Sequence, residues 1–293
     1  MTLIQKSFIY VEIGMKKVKY WLVALCCSIS LTALADKSSI KADSSYIPSP
    51  GQAGKDVIWL PTGTELVSLM LKTANVTSKD LVYDLGAGDG KIAIAAAKEF
   101  GAKAVGIEFN PDMAAYAQRN AIQSGVGHLV NIIRGDIFVE DFSQATVVTL
   151  YLLPDLNMQL RPTILKMKPG TRVVSHAFSM GDWEADKEIE TDAKAYYWVV
   201  PANVAGEWSL DGIEFKNATL TLAQRFQKIG GNIKIGNKSQ PILNSHLEGK
   251  HLRFSYLDLN NNLITVRGEV NGSEFKGEDK GGYSQGLVLG KRR

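Results

Sequence analysis

The chain has 293 residues, enough for two domains, with 33 Lys and Arg against 30 Asp and Glu and 45% hydrophobic residues. So even a balance gives no global electrostatic case for nucleic-acid binding. Two cysteines and four histidines, with no Cys/His ligand spacing, give none for a metal site, and there is no G-x-S-x-G nucleophile elbow.

The N-terminus reads as an export signal. Met15-Lys16-Lys17-Val18-Lys19 is basic, Tyr20 to Leu31 is mostly apolar, and Ala33-Leu34-Ala35 is a small-x-small cleavage site. The apolar run is too short to span a bilayer. Residues 1–35 are therefore expected to be a signal peptide, with Met15 as an alternative start. The protein is expected to be exported, to the periplasm; an uncleaved N-terminal membrane anchor is the alternative. Cleavage would remove Cys26 and Cys27, the only cysteines, along with Lys6, Lys16, Lys17, Lys19 and Glu12. The remainder would have no disulfides, balanced charge and no membrane span. Residues 36–54, rich in Ser, Lys, Pro and Gly, read as a linker.

From residue 55 to about 202, helical and strand patterns alternate, which predicts a parallel sheet of βα units. A helix is expected from Glu65 to Ala74. The apolar run Leu81-Val82-Tyr83 then meets Asp84-Leu85-Gly86-Ala87-Gly88-Asp89-Gly90, and a helix follows from Lys91 to Phe100. Strand, glycine loop and helix suit a nucleoside-type cofactor at the first switch of an α/β sheet. The loop departs from the dinucleotide fingerprint G-x-G-x-x-G, because the third position is Lys91. Asp84 would repel a pyrophosphate and suits a cationic group, such as the amine of a methionine moiety. The next strand, Ala104 to Ile107, ends in Glu108, about 20 residues past the glycines, where a ribose-binding carboxylate is expected. Phe109-Asn110-Pro111 opens a helix with Asn110 as cap. A third strand, Leu129 to Ile133, leads to Gly135-Asp136-Ile137-Phe138, and a fourth, Thr146 to Tyr151, runs into Leu152-Leu153-Pro154-Asp155. A fifth ends just before His176, and Glu188–Thr191 with Ala195–Val200 read as a closing hairpin.

The glycine loop resembles motif I, D-x-G-x-G-x-G, of the class I S-adenosylmethionine-dependent methyltransferases. Trp59-Leu60-Pro61-Thr62 upstream and Tyr151-Leu152-Leu153-Pro154 downstream sharpen the resemblance. Together with motif I they are similar to the small seven-strand protein-lysine methyltransferases of the mitochondrial translocase and ATP synthase c-subunit type. The likeness covers roughly residues 55–200. It implies a Rossmann-like seven-strand methyltransferase sheet and S-adenosyl-L-methionine as cofactor. The implied cofactor-binding residues are Thr62, Asp84, Gly86, Ala87, Gly88, Gly90, Glu108, Phe109, Asn110, Asp136 and Ile137. Asp136 would accept from the adenine amino group, with an apolar neighbour on the ring. The Asn/Asp-Pro-Pro-aromatic tetrad common in amino-group enzymes is absent, which argues against the adenine- and glutamine-modifying branches.

The resemblance implies N-methylation of a protein lysine or another amine. Tyr151 and Trp59 are candidates for an aromatic acceptor wall. Pro154 is a candidate site residue or simply a helix start, and His176 a candidate general base or simply structural.

Residues 203–293 differ in character. Short strand patterns (206–209, 218–222, 232–235, 252–256, 263–266, 269–270) alternate with turns at Gly230-Gly231, Asp258 to Asn262 and Asn271-Gly272. They predict a small antiparallel all-β domain, with the tail from Gly281 either closing the sheet or fraying. Its role is open: partner binding, or a cover for the first domain. The alternative to an active enzyme is an exported binding protein with a non-catalytic methyltransferase fold, working through this β domain.

Overall fold

The computed structural model describes residues 45–212, 218–280 and 286–293. The expected signal peptide, both cysteines and the start of the expected linker lie outside them. Among the described residues no helix is long and apolar enough to cross a membrane.

Two sheets carry the fold. The first part runs α1 (Thr64–Thr73), β1 (Leu81–Leu85), α2 (Lys91–Phe100), β2 (Lys103–Glu108), α3 (Pro111–Gln123), β3 (Val130–Arg134), β4 (Val147–Leu150), α4 (Pro154–Ile164), β5 (Arg172–His176), β6 (Lys187–Glu190) and β7 (Lys194–Val199). The strand order is β3-β2-β1-β4-β5-β7-β6. The first five strands are mutually parallel, and β7 is antiparallel to both β5 and β6. This is the Rossmann-like seven-strand methyltransferase sheet, its closing hairpin included. The order reverses between β1 and β4, and in such sheets ligands bind outside the carboxyl ends of the strands at that reversal.

Helices on both faces explain why β1 is buried for nearly its whole length. Val67, Met70 and Leu71 of α1 and Ile92, Ala93 and Ala96 of α2 are buried together in one hydrophobic cluster. Burying each large side chain there contributes about 1.5–3 kcal/mol. Helix α2 ends where Gly101, at φ +69, turns its N–H back to Ala97 O. Helix α3 starts as its Asn-Pro pair predicts: Asn110 Oδ1 accepts from Asp112 N at 2.9 Å and Met113 N at 3.1 Å.

The second part is β8 (Gly206–Asp211), β9 (Ala218–Arg225), β10 (Lys228–Ile235), β11 (Lys238–Pro241), β12 (Leu243–Glu248), β13 (His251–Leu257), β14 (Leu263–Asn271), β15 (Glu274–Lys280) and β16 (Leu287–Arg292). They form one antiparallel sheet in the order β11-β10-β9-β8-β16-β15-β14-β13-β12. The sheet curls until its β12 end reaches β10: Ile242 N donates to Gly231 O, and Ser245 Oγ to Ile229 O at 2.8 Å. Period-two positions, such as Leu252, Phe254 and Tyr256, fill its interior. The expected break between 266 and 269 is absent, and β14 runs straight through. Gly268 pairs with Gly277 so closely that a Cβ would meet the opposite Cα at 2.4 Å, and the Phe275 ring covers both glycines.

The two sheets are joined around Trp183. Its ring stacks on Phe226 at 6.0 Å and its Nε1 donates to Gln227 Oε1 at 3.0 Å. Next to it Asp182 pairs with both Arg161 and Arg225.

Candidate active site

The glycine loop is shaped by positive φ at Gly86 (+82), Gly88 (+55) and Gly90 (+80), a region open mainly to glycine. Gly86 N and Ala87 N both donate to Ile107 O and so fix the loop to β2. At Gly88 a Cβ would meet Trp59 Nε1 at 2.5 Å, because the indole lies directly on the loop. Gly90 does different work. It caps α2 and packs near Ala117 of α3, off the cavity wall.

Around this loop opens a cavity of about 620 Å³, within the usual range for small-molecule sites. Asp84 reaches it from the end of β1. Its carboxylate is buried, accepts from Thr149 Oγ1 at 2.7 Å, and has no cationic partner among the described residues. Burial pushes it up to about 7, and the charges of Asp89 and Glu108 add to this while the Thr149 bond opposes it. Glu108, at the end of β2, accepts from Gly88 N and Asn110 N, each at 2.9 Å, one on each oxygen. Burial raises its pKa and these N–H bonds work against the rise. Asp136 Oδ1 accepts from Phe138 N, while its Oδ2 pairs with Lys55 Nζ at 2.8 Å. That ion pair holds the Asp136 carboxyl below its ordinary value. The same ammonium lies 5.1 Å from the centre of the half-exposed Phe109 ring.

Lys55 belongs to a roof. Residues 51–59 fold back on themselves through Gly51 N to Trp59 O and Trp59 N to Gln52 O, and they line the cavity. Tyr46 anchors the start, edge-on to Tyr116 at 6.3 Å and held by Arg119. Part of the segment expected to be a linker, residues 46–54, is therefore packed onto the first domain. Its Pro- and Gly-rich composition carries no strand or helix period, so only tertiary contacts reveal it.

On the acceptor side, Tyr151, Leu152 and Leu153 leave β4 onto the cavity wall, with Phe178 facing in after β5. Two expected catalytic residues stand elsewhere. Pro154 is exposed at the first position of α4, where its fixed φ suits a helix start, and is off the wall. His176 is buried behind the wall, its ring 3.8 Å from the Tyr151 ring and its Nδ1 3.0 Å from Thr62 Oγ1. Burial lowers its pKa and favours the neutral ring. The cavity does gather Thr62, Asp84, Gly86, Ala87, Gly88, Glu108, Phe109, Asn110, Asp136, Ile137 and Tyr151. Thr149, Lys55 and Phe178 escaped the sequence reading. Thr149 sits in an ordinary apolar strand context, Phe178 follows β5 outside any motif, and Lys55 meets Asp136 only in three dimensions.

These groups fit S-adenosylmethionine. A buried carboxylate lacking a counter-ion suits its amino group, Glu108 its ribose hydroxyls, and Asp136 with Phe109 its adenine. Residues 84–187 match the ANTKMT methyltransferase domain. A protein-lysine N-methyltransferase of Saccharolobus islandicus is 41% identical over 165 residues, covering 56% of this chain and 98% of that protein. An ATP synthase c-subunit lysine N-methyltransferase of Xenopus laevis is 33% identical over 129 residues, covering 44% of this chain and 56%, about half, of the relative. Among solved structures, an RNA methyltransferase from Salinibacter ruber in complex with S-adenosyl-L-homocysteine is 46% identical with a TM-score of 0.49, covering 50% of this chain and 96% of that one. Cofactor pocket and near full-length relative agree: the chain belongs to the ANTKMT methyltransferase domain family and is an S-adenosylmethionine-dependent methyltransferase.

Proposed function

We propose that the protein N-methylates lysine side chains of a protein acceptor. The observation that carries this reading is the character of the cavity mouth. Ile58, Leu60 and Leu153 are 58%, 43% and 45% exposed there, beside the aromatic Trp59, Tyr151 and Phe178. An apolar lip and aromatic wall suit an alkyl-ammonium side chain on a polypeptide. The names of the Saccharolobus and Xenopus relatives support the same acceptor.

When bound, S-adenosylmethionine supplies an electrophilic sulfonium methyl, and displacement by the amine forms N–C, breaks C–S and leaves S-adenosylhomocysteine. The protein's part is alignment. Asp84, Glu108 and Asp136 would orient the cofactor from three strand ends. The acceptor ammonium must shed a proton before its nitrogen has a lone pair. Desolvation at the apolar mouth lowers a lysine pKa and favours that loss to water. The aromatic faces then accommodate the cationic methylated product.

The basic, apolar and small-x-small succession over Met15–Ala35 supports export of this enzyme. N-terminal sequencing of the protein recovered from cells tests that: a start at Asp36 supports it, and a start at Met1 or Met15 refutes cleavage. The acceptor is tested by incubating the protein with labelled S-adenosylmethionine and, separately, lysine peptides and single-stranded RNA. Label on peptide lysines supports the reading, and label on RNA alone overturns it.

A further inference from the structure

We infer that His176 is a positioning residue that ties the roof of the active site to its acceptor wall, and that it takes no proton from the acceptor. From residue 51 to 62 the roof is exposed or half-exposed until Thr62, its one buried residue. Thr62 is thus where the roof enters the core, just before α1. Its hydroxyl meets His176 Nδ1 at 3.0 Å, and its carbonyl accepts from Lys91 Nζ at 2.9 Å. His176 in turn lies against Tyr151, at 3.8 Å between ring centres and 34° between planes. That neighbour is set by the sheet: Leu150 and Ser175 are in register on β4 and β5, so the next residues, Tyr151 and His176, emerge side by side.

The backbone reinforces this placement. Phe178 N donates to His176 O at 2.8 Å, closing a three-residue turn whose central residue, Ala177, has φ +63. A non-glycine residue at such an angle is strained. The turn separates the two flanking side chains: Phe178 reaches the cavity wall, and His176 remains behind it. Tyr151 covers the imidazole and Thr62 engages its Nδ1, so the ring is held as a strut between roof and wall.

The test uses His176→Asn, which keeps an amide near Thr62; His176→Phe, which keeps a ring against Tyr151; and Thr62→Val. Hydrogen exchange of the roof amides, residues 51–62, is measured on each with S-adenosylhomocysteine bound, and turnover on a lysine peptide is followed alongside. His176→Phe and Thr62→Val should raise roof exchange equally, the double variant no further, and His176→Asn should restore protection. Turnover by His176→Asn should stay within about tenfold of the parent, since loss of a general base costs about 10²–10⁴-fold. Roof exchange unchanged in both His176→Phe and Thr62→Val would overturn the proposal. So would a hundredfold loss of kcat in His176→Asn with the roof still protected. If His176→Phe does not fold, Thr62→Val alone decides, and the exchange arm stands whichever acceptor the enzyme uses.

Discussion

At the scale of single residues, the burial of Asp84 predicts that cofactor binding depends on pH. Its carboxyl binds a proton more tightly in the fold than in the unfolded chain. The stability it contributes therefore falls as pH rises from 3.8 to about 7, and the penalty is complete above that window. Asp84→Asn should raise the melting temperature of the cofactor-free protein at pH 8 and change it little at pH 4, a difference on the order of 2–4 kcal/mol. The same substitution should weaken S-adenosylhomocysteine binding, because the cationic amine loses its counter-charge. In the parent, affinity should rise with pH through about 7 and binding should release a proton, visible by calorimetry in buffers of different ionisation enthalpy. Ala177 provides a second test. Its φ of +63 costs about 1–2 kcal/mol in an L-residue, so Ala177→Gly should raise the denaturation midpoint while loosening the wall beneath Phe178. No change in midpoint would mean the turn is unstrained.

At the scale of elements, the glycine loop and the roof form one unit. Gly88→Ala introduces both an unfavourable φ and a Cβ 2.5 Å from Trp59 Nε1. Cofactor affinity should fall at least about tenfold, since each unfavourable L-residue φ costs about 1–2 kcal/mol. Adding Trp59→Ala should recover part of that loss, because only the clash is relieved. Equal affinity in the single and double variants would separate loop from roof. The contrast between these two elements explains what was legible in the sequence. The loop declares itself locally, through glycines at fixed spacing between a strand and a helix, with acids at successive strand ends. The roof has no such code, being held by Lys55 on Asp136, Trp59 on Gly88 and Thr62 on His176, pairs far apart in the chain. His176 ends a readable strand, but which side of the wall it occupies depends on the turn at Ala177, which sequence does not encode plainly. In the second sheet, β11, β12 and β15 were missed because their polar outward residues mask the period of two. The pattern read as two segments, 263–266 and 269–270, is one strand in which Gly268 pairs closely with Gly277 under Phe275.

At the scale of the whole molecule, the joint between the sheets rests on a few large groups. Trp183 is fully buried and bonded to Gln227. Trp183→Ala should cost about 3–5 kcal/mol and leave the Gln227 amide short of a partner. Denaturation followed by Trp fluorescence and by far-UV dichroism should then split into two transitions, and coincident curves would show that other contacts suffice to couple the sheets. The order of strands in the second sheet has a consequence for how the protein is made. Strand β8 is synthesised first, yet its neighbour on one side is β16, with Trp208 opposite Arg292. Until that distant segment emerges, β8 and β15 each present a bare edge to other chains. Non-local pairing of this kind is slow, and bare edges recruit strangers. Stalled or clipped chains lacking Leu287–Arg292 should therefore form aggregates through this sheet, which makes the second half of the molecule the stage at which its biogenesis is most vulnerable.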